Sequence, residues 1–171
     1  MKIRSDFVTN SSSSSFILAF NDKEDGINQI LGLSGKASDG CILELLDCFR
    51  EAEPIPVQNI GEHFSDDIES VAYWQLSFGD GAWWSRNKDT FENRWLNAHP
   101  GSSIMDYRNS AEYEDEVSKK KAEILSDIID KIDDRRYIVA LEFGDHDDFG
   151  DALEHEVLPR ADFVATSFNH H

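Results

Sequence analysis

The sequence predicts an α+β fold, a single domain with a mostly antiparallel sheet and amphipathic helices packed on it. Three observations carry that expectation. Two short apolar runs, residues 16–20 (F-I-L-A-F) and 137–143 (Y-I-V-A-L-E-F), have the length and composition of buried strands. Two other stretches, residues 42–49 and 111–133, repeat apolar residues at helical spacing. Strands and helices mix without a strict βαβ alternation, which argues against a doubly wound parallel sheet.

Taken in order, residues 16–20 form the first strand and residues 21–26 a polar turn. Ile27, Ile30 and Leu31 then recur at helical spacing until Gly32 interrupts them. Ile42, Leu45, Leu46 and Phe49 follow the i, i+3, i+4, i+7 template of a second helix, preceded by Asp39-Gly40 and closed by Pro54. Residues 54–67 read as a connection, because Pro54 and Pro56 favour extended backbone. Residues 71–78 are aromatic and β-branched and read as a strand. Gly79-Asp80-Gly81 then signals a turn, and Trp83-Trp84 starts a return strand. A short helix is expected over residues 90–98, capped by Thr90 or Asp89, with His99-Pro100-Gly101 ending it. The helix over residues 111–133 puts Val117, Ile124, Leu125, Ile128 and Ile132 on one stripe and Lys119, Lys120 and Lys121 toward water. After the strand at 137–143 come a loop at 144–150, a short segment at 152–158 stopping at Pro159, and a last strand over 163–168.

A chain of 171 residues with 40% hydrophobic content is long enough to bury a core without disulfides or metal staples. Against 34 acidic residues stand 16 basic ones, a formal charge of -18. Such a surface repels nucleic-acid phosphates and anionic headgroups, so neither nucleic acid nor membrane is expected as a ligand. It suits solubility, cations or a basic protein partner. Cys41 and Cys48 lie seven apart on one expected helix, roughly 10 Å along its axis, beyond the reach of a disulfide. Free thiols fit a reducing compartment. The N-terminus lacks an apolar h-region and no stretch is long enough to cross a bilayer, so a cytoplasmic location is expected.

The opening M-K-I-R-S-D-F-V-T-N-S-S-S-S-S-F-I carries five consecutive serines, Ser11, Ser12, Ser13, Ser14 and Ser15. No propensity rule asks for them. The string resembles a leader, D-F-V-T-N-S-S-S-S-S-F, that opens otherwise unlike uncharacterised bacterial and phage-encoded proteins, a group with no assigned activity. The resemblance covers about a tenth of the chain. It implies an address, a docking peptide or a modification site, since a shared opening on unlike bodies is a label rather than a structural part. By residue type alone, residues 1–15 are a hydrated spacer, expected as a disordered arm or as an edge segment running into the first strand. Residues 16–171 are then the domain.

Two chemical constellations stand out near the C-terminus. Asp145, Asp147, Gly150 and Glu156 fall at positions one, three, six and twelve of a calcium-loop template, although Phe149 occupies the fifth, where an oxygen ligand belongs. Alternatively, His146, His155, His170 and His171, with Asp145, Asp147, Glu154 or Glu156, supply an imidazole and carboxylate shell for zinc, manganese or iron. A divalent metal there would activate water, with Asp147 or Glu154 as a base for hydrolysis. No H-E-x-x-H spacing is present, and His170-His171 reads equally as a native ending or as the remnant of a purification tag. The aromatic segment Tyr73, Trp74, Phe78, Trp83, Trp84 and Trp95 is the other distinctive patch. If Trp83 and Trp84 lie on a strand they point to opposite faces, which leaves one of them for a partner.

There is no G-x-S-x-G elbow and no phosphate-binding glycine loop, and the carboxylates are too numerous to single out a catalytic pair. The leading expectation is therefore a non-enzymatic cytoplasmic binding protein with an N-terminal recognition leader and a protein partner. The first alternative is a metal-binding protein, in its enzymatic form a metal-dependent hydrolase. The second is an acidic inhibitor or immunity protein that mimics nucleic acid, for which the carboxylates are spread too evenly along the chain.

Overall fold

The computed structural model describes residues 13–78, 90–144 and 148–170. It is an α+β structure whose described residues form one three-stranded antiparallel sheet in the order β2-β1-β3. The strands are β1 (Ser13–Phe20), β2 (Tyr137–Gly144) and β3 (Val164–His170). Within this structure the chain groups into two compact units. One joins Met1–Val57 to Lys131–His171, and the other is Gln58–Asp130.

The first unit holds the sheet, and helices α1 (Lys23–Leu31) and α2 (Asp39–Glu51) follow β1 along the chain. Asp22 caps α1 by accepting the Asp25 backbone N–H at 2.9 Å, and Ser38 caps α2 by accepting that of Cys41 at 3.2 Å. Alternation along β1 sends Phe16, Leu18 and Phe20 to one face, where the α2 stripe Ile42, Leu45, Leu46 and Phe49 meets them in a single core cluster. Phe49 is its centre. Its ring packs edge-on against Phe20 at 5.2 Å and lies 5.7 Å from Tyr137. Gly26 lets α1 approach so closely that a Cβ there would stand 2.4 Å from Phe49 Cζ. Cys41 and Cys48 both lie on α2 and are free thiols, as their spacing requires.

After β2 the chain runs through α8 (Asp148–Ala152), a single π-helical turn at Leu153–Val157 and a 3₁₀ turn at Leu158–Arg160. The expected stop at Pro159 becomes a tightening, because Pro sits in the first turn of that 3₁₀ segment, where it gives up no needed donor. Leu153, Val157 and Leu158 add to the core.

The described residues of the second unit form helices. A 3₁₀ turn at Val57–Asn59 leads into it, and it contains α3 (Ile60–His63), α4 (Ser65–Phe78), α5 (Phe91–Ala98), α6 (Ile104–Arg108) and most of α7 (Ala111–Ile132). The connection expected over residues 54–67 is therefore partly helical. The strand expected over 71–78 is corrected to the second half of α4. Aromatic and β-branched residues suggest a strand, but the buried hydrophobic residues Ile68, Ala72 and Leu76 lie four apart, at 3%, 0% and 5% exposure. That is helical periodicity, and it begins before the window that looked like a strand. Asp66 and Asp67 in the first turn also suit the helix dipole. Thr90 caps α5 as expected, accepting the Asn93 N–H at 3.2 Å. Ser103 and Asp106 form a reciprocal capping box on α6. α7 matches its sequence stripe closely, with Ile128 and Ile132 buried. The return strand expected at Trp83-Trp84 lies outside the described residues.

Candidate functional site

An open groove of about 1020 Å³ runs between α4 and α7 in the second unit, with α6 at one end. Asp66, Glu69 and Tyr73 line it from α4, Arg108 from α6, and Tyr113, Glu114 and Lys121 from α7. The Arg108 guanidinium lies 4.8 Å from the Tyr73 ring centroid and also donates to the Tyr73 hydroxyl. Lys121 reaches across to Glu69 at 2.7 Å. Of the three lysines expected to face water, Lys121 is thus turned toward the neighbouring helix. This pair is too exposed to add much stability, and its effect is to set the groove's charge pattern.

Behind Arg108 and Tyr113 sits an aromatic cluster. Tyr107 is fully buried, edge-on to Tyr113 at 4.9 Å and packed against Trp95 at 5.5 Å and Phe91 at 6.0 Å. His99 stacks on the Trp95 ring at 4.0 Å. Burial pushes the Tyr107 phenol well above its ordinary range, and the neighbouring Tyr113 and Glu92 add to the shift. Tyr113 is raised by burial too, against the opposing pull of Arg108. Among the described residues, the Tyr107 hydroxyl, Trp95 Nε1, Arg108 Nε and Glu92 Oε2 are buried without a hydrogen-bond partner. Such groups carry a desolvation cost of roughly 1–3 kcal/mol each. Tyr107→Phe should consequently raise the stability of the protein by about 1 kcal/mol. Urea unfolding of the two proteins checks this, and a loss of similar size would show the hydroxyl to be bonded.

The residues singled out in the sequence are placed as follows. Ser13, Ser14 and Ser15 lie in β1, which is the central strand and not an edge. Ser14 is completely buried, and its hydroxyl donates to Glu154 Oε1 at 2.5 Å. Two features named separately, the serine run and the acidic tail, therefore touch. Glu154 is 4% exposed, whereas its neighbours His155 and Glu156 are exposed. His155 faces Asp151 at 3.6 Å. The three consecutive tail residues diverge and do not converge on one point. Residues 148–157 are helical, so this part of the calcium-loop template lacks the extended wrap it needs. Among the described residues no group of three or more His, Cys, Asp or Glu is arranged to hold a metal ion. Asp145, His146, Asp147 and His171, the side chain of His170, Ser11, Ser12, Trp83 and Trp84 lie outside the described residues.

Tyr107, Arg108 and Tyr113 were not legible as site residues. The one available signal was the S-x-x-D capping pattern at Ser103, which announces a helix whose next residues are Tyr107 and Arg108. Trp74, from the aromatic segment, is 44% exposed on α4, and Ile104 and Met105 on α6 are 44% and 62% exposed. No helix among the described residues is long and apolar enough to cross a membrane. No protein-family model, curated protein or solved structure matches the chain.

Proposed function

We propose that the chain is a non-enzymatic cytoplasmic binding protein. Its partner-reading surface is the α4–α6–α7 groove, and its N-terminal leader is a recognition element. The observation that carries the reading is the composition of the groove: tyrosine and arginine side chains held rigidly by one another, ringed by carboxylates. Tyrosine, tryptophan and arginine are the residues that most often dominate protein–protein binding energy. Tyr73, Tyr113 and Arg108 line the groove here, and Trp74 is exposed on the same helix as Tyr73. Asp66 and Glu114 stand beside them outside the Lys121–Glu69 pair, and with -18 on the whole chain a basic segment of a protein partner fits best. The leader's role is supported by its resemblance to openings on unlike bacterial and phage-encoded chains.

A photo-crosslinking residue at Ser118, on the groove, and another at Asp47, on α2 of the first unit, test the surface. The Ser118 position should trap one partner that Asp47 does not. Arg108→Ala should then weaken the purified partner's affinity by at least about tenfold, the scale of a hot-spot arginine. Affinity should also fall as salt is raised. Equal trapping from both positions, or an affinity indifferent to Arg108, would remove the groove from the proposal.

A further inference from the structure

We infer that the Ser14–Glu154 hydrogen bond is a latch that holds the end of the serine run inside the sheet, so that exposure of Ser13, Ser14 and Ser15 requires it to open. The inference stands on the first unit alone and holds whether or not the groove binds a partner.

The partners are 140 positions apart, and both are buried. Ser14 has the parity of Phe16 and therefore faces the same side of the sheet, where the Phe16 and Phe143 rings lie 6.3 Å apart. On either side the backbone is fully engaged. Ser13 pairs with Gly144 and His170, Ser14 with Phe143 and Asn169, and Ser15 with Glu142 and Phe168. Three serines, poor strand formers with little apolar area, are thus held in the centre of a sheet. Side-chain burial supplies little of the force. The hydroxyl-to-carboxylate bond is charge-assisted, and bonds of that kind are about twice as strong as neutral ones.

The acceptor side is under tension of its own. Glu154 sits in the single π-helical turn, a backbone form found mostly at functional places in proteins. Its second oxygen, Oε2, is buried and has no hydrogen-bond partner among the described residues. A buried carboxylate with so few donors costs free energy that water would return on opening. The closed state is held by the Ser14–Glu154 bond together with the strand pairing on both sides, and it is opposed by the desolvation of Glu154 Oε2. A two-state element of this kind shifts with small perturbations. A negative charge at position 14 is incompatible with the closed state, because it would face the Glu154 carboxylate in a dry site.

Amide hydrogen exchange of the full chain reads the latch directly. In Ser14→Ala, exchange at residues 14–16 should rise at least tenfold, and in Ser14→Asp further still, while the amides of α2 stay as protected as before. Glu154→Gln keeps an acceptor for Ser14 but removes the charge assistance, so exchange at residues 14–16 should rise less than in Ser14→Ala, and a rise as large as that of Ser14→Ala would count against the latch. Adding Glu154→Gln to Ser14→Asp should restore part of the lost protection, since the amide can donate to the new carboxylate. Should Ser14→Asp not fold, Ser14→Ala and Glu154→Gln decide by themselves. An unchanged rate at residues 14–16 in Ser14→Ala, a rise spread equally over α2, or a double variant no better protected than Ser14→Asp would overturn the latch.

Discussion

Phe49→Ala is expected to lower the stability of the protein by about 3–5 kcal/mol, the range for removing a fully buried phenylalanine. The side chain is wholly buried and stands where α1, α2, β1 and β2 meet. It touches Phe20 edge-on and Tyr137 obliquely, and its ring tip lies over Gly26. A void there is bounded by two strands and two helices and cannot easily collapse, so the cavity term adds fully to the transfer term. Net stabilities of domains are only about 5–15 kcal/mol, so much of the total is at stake. Urea titration followed by far-ultraviolet circular dichroism reads the change. A loss below about 1 kcal/mol would mean that the α2 stripe is not the core. A companion change probes the same contact from the other side. Gly26→Ala should destabilise although alanine favours helix, because its Cβ has no room against Phe49, and Phe49→Leu should relieve that clash.

Arg135→Ala is the second large effect, with an expected loss of about 2–3 kcal/mol, the scale of hydrogen bonds to a charged donor. One guanidinium holds four carbonyls. Nε donates to Ile132 at 2.9 Å, Nη1 to Ala19 at 3.2 Å and to Asp162 at 3.3 Å, and Nη2 to Lys131. These join the end of α7 to the end of β1 and to the residues leading into β3. Asp133, with φ of 57°, breaks α7 in the left-handed conformation and turns the chain so that Arg135 faces back. The cation also suits the negative end of the helix dipole. Arg135→Lys should recover only part of the loss, because an ammonium cannot reproduce the planar fork. If lysine restores full stability, charge and not geometry is responsible. If alanine is neutral, the four contacts add nothing.

The elements legible in the sequence were those whose pattern is local. The β1 and β2 runs, the α2 stripe and the long α7 stripe each bury side chains that their own periodicity selects. The Thr90 cap was legible because capping needs one side chain and a donor three residues on. α4 was misread because Tyr73 and Trp74 favour strands as single residues, while the decisive spacing of Ile68, Ala72 and Leu76 starts earlier. The site was largely hidden. The groove draws on three helices, and Arg108 matters only because folding sets it on the Tyr73 ring.

By itself the sequence determined the α+β class, the acidic surface, the free thiols and most of the helices and strands, since charge, composition and periodicity act over a few residues. Only the tertiary structure decided that the serine run ends in the central strand, that Ser14 meets Glu154, and that Tyr73, Arg108 and Tyr113 share one groove. Those contacts join residues from 35 to 140 positions apart, and no local preference encodes a meeting that packing alone brings about.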